Sequence, residues 1–280
     1  MSTEATQPGA EPFTERTPRV VAARRLTRRA ERDKTGRFLA EGANAVGAAL
    51  DRGAAEPGFV HELFVTERAA QAHPELVTAA REQGVRVSPV TERAAAGLSE
   101  TVTPQGIVAV CALLDRPLAT ALPPSPRLVA VLVGVSDPGN AGTVIRVADA
   151  AGADAVLLAG DSVDPHNGKC VRASAGSLFH LPIARVRETG AALTACRESG
   201  LRLLGAHGYA TTGLDTLDLA RPAAWIFGNE AHGLPPEVLA AVDEGVRIPL
   251  YGKAESLNLA TAAAVCLYGS ALALHRPRGG

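Results

Sequence analysis

Residues 128–160 read LVAVLVGVSDPGNAGTVIRVADAAGADAVLLAG, and this stretch decides the fold. LVAVLVGVSD (128–137) is a nearly unbroken apolar run, the pattern of a parallel strand buried on both faces. PGNAG reads as a turn, TVIRVADAAG as a helix, and ADAVLLAG (153–160) as a second strand. Strand, helix and strand in succession make an α/β domain with a parallel sheet.

The pattern continues toward the C-terminus. ALTACRESG is helical and LRLLGAHG is a strand. AAWIFGNE (223–230) is a strand running into a polar turn, and PPEVLAAV is a helix opened by proline. GVRIPLYG is a strand and loop. The final SLNLATAAAVCLYGSALALH is a helix apolar nearly all round, which demands burial on most sides.

Upstream, FVHELFVT (59–66), VRVSPV and GIVAVCALL (106–114) read as strands. RFLAEGANAVGAALDRG gives a short strand, then a helix through Asn44 to Leu50. ELVTAAREQG (75–84) is a helix closed by Gly84, and TERAAAGLSE is one capped by Thr91. This is a second, smaller α/β unit. Between the two lies RPLATALPPSPR (116–127), whose four prolines fix φ and remove donors, so it reads as a stiff linker. The expected layout is a disordered tail over 1–17, an N-terminal domain over 18–115, that linker, and a C-terminal domain over 128–280.

The 280 residues are 46% hydrophobic and 20% charged, the composition of an ordinary globular chain. No apolar run approaches the ~20 residues that span a bilayer. The polar MSTEATQPGAEPFTERTP lacks the apolar core of a signal peptide, so a cytoplasmic location is expected. Cys111, Cys170, Cys196 and Cys266 fit no metal spacing and read as structural thiols. No His, Cys and carboxylate cluster calls for a metal, and His232 reads as a loop residue.

Charge is unevenly spread. Arg16, Arg19, Arg24, Arg25, Arg28, Arg29, Arg32, Lys34 and Arg37 face only Glu31 and Asp33. That segment carries +7 and leaves −8 for the rest of a chain whose net charge is −1. From Val20 to about Ala30 it fits a basic helix. An end so charged points to a polyanion, with Arg24, Arg25, Arg28, Arg29 and Arg37 as candidate nucleic-acid contacts.

Three turns follow apolar strands, where α/β sheets gather their ligands. They are Asp137-Pro-Gly-Asn140-Ala-Gly142 with Arg146 beyond, Gly228-Asn229-Glu230-Ala-His232-Gly233-Leu-Pro235, and Ile248-Pro249-Leu-Tyr251-Gly252 leading to Ser256-Leu257-Asn258-Leu259. GxGxxG and GxxxxGK[ST] are both missing, which weighs against dinucleotide and nucleoside-triphosphate sites. Ser256 has no GxSxG elbow, which weighs against a serine hydrolase.

Together the three turns resemble the signature motifs of the SpoU/TrmH branch of the SPOUT class, RNA ribose 2′-O-methyltransferases. The first matches at Asn140, Gly142 and Arg146. The second matches at Gly228, Glu230, Gly233 and Leu234. The third matches at Ile248, Pro249, Ser256, Leu257, Asn258, Ala260 and Ala262. VRASAGSLFHLPI (171–183) is similar to the family's middle segment. The first half more loosely resembles the ribosomal-protein-like substrate-binding domain that often precedes this one, at Thr35–Phe38, Glu41-Gly42 and Pro104–Val108.

The resemblance implies a C-terminal parallel-sheet domain with a deep trefoil knot, which general topology rules would not anticipate. It implies S-adenosyl-L-methionine as cofactor and a homodimer formed through the knot and last helix. It also implies methyl transfer to a ribose 2′-hydroxyl, in ribosomal RNA ahead of transfer RNA because of the extra N-terminal domain. Antibiotic resistance by ribosomal RNA methylation stays open. The implied catalytic set is Arg146, Asn140, Glu230, Ser256 and Asn258. The implied cofactor set is Leu204, Gly205, Ala206, Gly228, Ile248 and Leu257.

Family proposals cast the arginine as a base or as an organiser of a phosphate. Arginine almost never deprotonates, so Arg146 is read as a cation that binds a substrate phosphate and stabilises the developing alkoxide. Asn140 orients the ribose or a loop, and Glu230 holds Arg146 or a loop across the dimer. Ser256 either contacts substrate or caps the last helix. The alternative from another class is a catalytically silent RNA-binding protein on the same fold.

Overall fold

The computed structural model describes residues 11–276, which form two compact units. One holds the residues up to Leu113 together with His166–His180. The other holds Leu114–Pro165 and the chain from Leu181 onward.

The first unit begins with α1 (Pro18–Arg25), α2 (Arg29–Thr35), β1 (Arg37–Glu41), α3 (Ala43–Ala55) and β2 (Val60–Val65). It continues with α4 (Glu67–Ala72), α5 (Pro74–Glu82), β3 (Arg86–Pro89), α6 (Glu92–Gly97) and β4 (Ile107–Ala112). Its sheet runs β1-β4-β2-β3, with β4 antiparallel to both neighbours and β2 parallel to β3. Thr91 caps α6 as expected, its hydroxyl accepting the Ala94 N–H at 3.1 Å.

The single basic helix expected near Val20–Ala30 is instead two. The break falls at Leu26–Arg28, where the Thr27 hydroxyl donates to Arg24 O at 2.9 Å. Arg32 closes the break from the second helix, its Nη1 donating to Leu26 O and Thr27 O at 2.9 Å each. Arg32 is therefore a buried structural cation, although the sequence placed it in the charged run. Of the tail expected over 1–17, residues 1–10 lie outside the described residues. Phe13 is ordered, donating its N–H to Pro89 O and accepting from Thr91 N.

The second unit opens with α7 (Leu118–Ala121), a short helix in the proline-rich stretch whose Ala121 joins the core. Then come β5 (Leu128–Val133), α8 (Pro138–Ala150) and β6 (Ala155–Ala159). The next helix, α9 (Gly168–Ser174), belongs to the first unit. There Arg172 meets Glu41 at 3.1 Å and the His166 ring lies 4.7 Å from that of Phe38. The second unit resumes with β7 (Ile183–Val186), α10 (Thr189–Glu198), β8 (Arg202–Ala206), β9 (Thr212–Gly213) and β10 (Ala223–Phe227). It ends with α11 (Pro236–Ala241), β11 (Glu244–Arg247) and α12 (Leu259–Leu274).

Its seven strands run β7-β6-β5-β10-β8-β11-β9, all parallel to their neighbours. Every residue of β5, β6 and β10 is buried, as strands covered on both faces must be. Val129, Val131 and Val133 pack with Leu193 and Cys196 of α10 and Val238 of α11. Toward α12, Trp225 is fully buried and donates its ring N–H to Ser270 Oγ at 2.9 Å, so its polar atom is satisfied in the core. The expected PGNAG turn is the first turn of α8. Asp137 accepts the Asn140 N–H at 2.8 Å, and Pro138 has the fixed φ that a helix start favours. Among the described residues no helix is long and apolar enough to cross a membrane.

Candidate active site

The three turns meet at the carboxyl ends of β5, β8, β10 and β11. After β10, the backbone of Asn229 exchanges hydrogen bonds with Gly233, 3.0 and 2.8 Å long, closing a tight turn. Gly228 has no room for a side chain, since a Cβ there would overlap the backbone of Gly233 and Leu234. Asn229 then locks the turn to β5. Its Nδ2 donates to Gly134 O at 2.8 Å, and its Oδ1 accepts from Ala231 N and His232 N.

This turn presents Glu230 to the start of α8. One carboxylate oxygen accepts from Ser136 N (3.1 Å) and Ser136 Oγ (3.0 Å). The other accepts from Asp137 N (3.0 Å) and Asn140 Nδ2 (3.1 Å). Asn140 Oδ1 in turn accepts from Asn258 Nδ2 at 3.1 Å. Asn258 Oδ1 caps α12, accepting from Ala260 N and Thr261 N, so the helix cap is Asn258 and not Ser256. One chain of hydrogen bonds thus joins the three motifs through Glu230, Asn140 and Asn258.

Partial burial pushes the Glu230 carboxyl up, but the donors from Ser136, Asn140 and Asp137 outweigh it and hold the group below its ordinary value of 4.5. A lowered folded value stabilises above the unfolded value and is lost as pH falls through the folded one. Glu230→Gln is therefore expected to melt below wild type at neutral pH, with the gap closing as pH falls below 4.5. A gap of constant size from pH 7 to pH 3 in paired thermal melts would remove the carboxylate from this role.

Beside the network lies a cleft of about 190 Å³. Ala206, Gly228, Ile248 and Leu257, from the expected cofactor set, line it, as do Glu230 and Ser256. Leu204 and Gly205 do not. Leu204 is wholly buried in β8, and a Cβ on Gly205 would meet Leu234 and Val242 at 3.2 Å. The lining also takes Phe227, Val246, Leu259, His207 and Glu255, which sequence reading missed because only packing brings the strand ends together. Ser136 and Asn229 were missed as well. The GNE tripeptide after an apolar strand was the available signal for Asn229.

Arg146 sits exposed on α8, outside the lining, and makes no hydrogen bond or ion pair among the described residues. The structure does not bring it to Glu230, whose partners are the turn before α8 and Asn140. Arg24, Arg25, Arg28, Arg29 and Arg37 are all exposed, with Arg29 3.6 Å from Asp33.

The cleft suits S-adenosylmethionine by its donor set. Phe227, Val246, Ile248 and Leu257 give apolar surface for a purine and ribose. The backbone groups of Leu250 and Leu257, which make no hydrogen bond among the described residues, are open to polar edges. Glu230 and Glu255 supply negative charge, and no lysine or arginine lines the cleft. That charge balance favours a sulfonium cation and disfavours a polyphosphate.

These properties define an α/β protein whose cleft suits a nucleoside carrying positive charge. The chain belongs to the SpoU rRNA Methylase family, whose profile matches residues 127–268, and the profile of the MRM3-like substrate binding domain matches residues 17–109. It is 37% identical over 245 residues to the 23S rRNA (guanosine(2553)-2′-O)-methyltransferase RlmP of Bacillus subtilis, covering 88% of this chain and 92% of that one. It is 32% identical over 221 residues to the 23S rRNA (guanosine-2′-O-)-methyltransferase RlmB of Bordetella pertussis, covering 76% and 89%. The AdoMet-bound rRNA methyltransferase of Sinorhizobium meliloti superposes with a TM-score of 0.80 at 32% identity, covering 93% of this chain and 97% of that one.

Proposed function

We propose that this chain transfers the methyl group of S-adenosylmethionine to a ribose 2′-hydroxyl of ribosomal RNA, in the cytoplasm. The observation that carries the reading is the Glu230–Asn140–Asn258 network beside a largely apolar cleft that no lysine or arginine among the described residues lines. When bound, the cofactor supplies an electrophilic methyl on a sulfonium. Ala206, Gly228, Ile248 and Leu257 would hold it. Glu230 fixes the start of α8, and Asn140 and Asn258 set the ribose in line. Positioning of this kind supplies up to about 7–11 kcal/mol in favourable cases. Arg146 binds a substrate phosphate and stabilises negative charge on the 2′-oxygen as the hydroxyl proton passes to solvent at the cleft mouth. Ser256 contacts the substrate at the cleft edge. Arg24, Arg25, Arg28, Arg29 and Arg37 grip the RNA backbone from the first unit. The silent-binder alternative does not stand, because the relatives are methyltransferases and the network is intact.

The working form is a homodimer, and the C-terminal segment is threaded as a trefoil knot. The dimer is supported by an apolar stripe on α12, where Val265, Tyr268 and Leu272 are 38%, 43% and 65% exposed at helical spacing. The knot is supported by strand order, with β10 inserted between β5 and β8, β11 beyond β8, and α12 back against α8 and β10.

Purified protein incubated with radiolabelled S-adenosylmethionine and ribosomal RNA is expected to give label in alkali-resistant dinucleotides. Label confined to alkali-labile mononucleotides would move the target from ribose to base. No label with either free rRNA or assembled subunits would sink the reading.

A further inference from the structure

At the amino-terminal edge of the parallel sheet, opposite the cleft, lies a concavity of about 440 Å³. Its lining holds three arginines, Arg197, Arg202 and Arg221, and one carboxylate, Asp243. Within the lining, guanidinium groups outnumber carboxylates by two, in a chain that is acidic outside residues 16–37. Asp243 is already engaged. It accepts the Leu203 N–H at 2.8 Å and lies 3.5 Å from Arg197 Nη2, which also donates to Ala241 O at 2.7 Å. Arg202 spends its Nη2 on Asp218 O at 2.7 Å. Its Nε is buried and meets no acceptor among the described residues. Arg221 makes no hydrogen bond or ion pair among them. A buried charged donor without an acceptor is costly, and three guanidinium groups around one hollow repel. An anion with several acceptor oxygens seated in the hollow relieves the repulsion, and the arginine fork matches phosphate geometry.

We propose that Arg197, Arg202 and Arg221 form a phosphate-binding site that takes a backbone phosphate of the RNA substrate. The proposal rests on the reading that RNA is the substrate. The five residues of β8 separate this edge from the cleft by about 16 Å.

The test uses the full chain and Arg221→Ala, which removes an exposed side chain, with Arg221→Lys as the conservative control. RNA affinity is measured from 50 to 200 mM salt, and inorganic phosphate binding by calorimetry. Loss of one contact is expected to lower the slope of log affinity against log salt by about 0.7–0.9. The wild-type advantage over Arg221→Ala then shrinks about threefold across that range. Arg221→Lys should restore the slope, and S-adenosylmethionine affinity should not move. If wild type alone binds inorganic phosphate while the RNA slopes match, the site takes free phosphate and the RNA assignment is overturned. Matching slopes with equal phosphate binding overturn the site altogether. Wild-type RNA binding that yields no methylated product would fault the catalytic reading and leave this contact standing.

Discussion

Arg146→Ala is expected to lower methyl transfer about 10²–10³-fold while leaving S-adenosylmethionine affinity within a few-fold. The size is that of removing one preorganised donor from a developing oxyanion. The separation of effects follows from placement. Arg146 is exposed on α8, outside the cleft lining, and no residue described here neutralises it. Its removal leaves the Glu230–Asn140–Asn258 network and the cleft walls untouched. Single-turnover rates on RNA and calorimetry with the cofactor separate the two quantities. Cofactor binding lost in step with the rate would make Arg146 part of the cofactor site. Arg146→Lys keeps the charge but loses the fork, so it should recover only part of the rate.

Replacing Arg24, Arg25, Arg28, Arg29 and Arg37 together by glutamine is expected to flatten the salt dependence of RNA binding by about 3.5–4.5 in log–log slope. Between 50 and 200 mM salt the wild-type advantage should shrink by about 10²-fold. Substitution is the sound test and truncation is not. Val20, Ala23 and Leu26 belong to the first unit's core, and the buried Arg32 holds the joint between α1 and α2. Removing residues 1–37 would unfold what it set out to probe. An unchanged slope in the folded quintuple variant would mean that this surface does not touch the RNA.

Much of the fold was legible in advance because its signals are local. The apolar runs of β5, β6 and β10, the proline opening α11, and Thr91 as a cap depend on a few neighbouring residues. Two local readings failed for reasons that are also physical. PGNAG has turn composition, yet with Asp137 ahead of it the same residues begin α8. The basic run has helical composition, yet Arg32 satisfies carbonyls at Leu26 and Thr27 and breaks it in two.

The site divides in the same way. The resemblance of three motifs to the SpoU/TrmH signatures singled out Asn140, Glu230 and Asn258, and it also singled out the cleft residues Gly228, Ile248 and Leu257. Motif order carries no distances, so the partner of Glu230 could not be read from it. Only the tertiary structure decided that this carboxylate binds the turn before α8, that Asn258 caps α12, and that Ala206, Phe227 and Val246 come to one cleft. The hydrogen bonds of Asn140 with Glu230 and with Asn258 join residues 90 and 118 positions apart along the chain, where no local propensity acts. The sequence by itself determined most of the elements that form and which motifs the site draws on. The parallel order of β5, β10, β8 and β11 decided which of them meet, because burying both faces of that sheet brings its strand ends together at one edge.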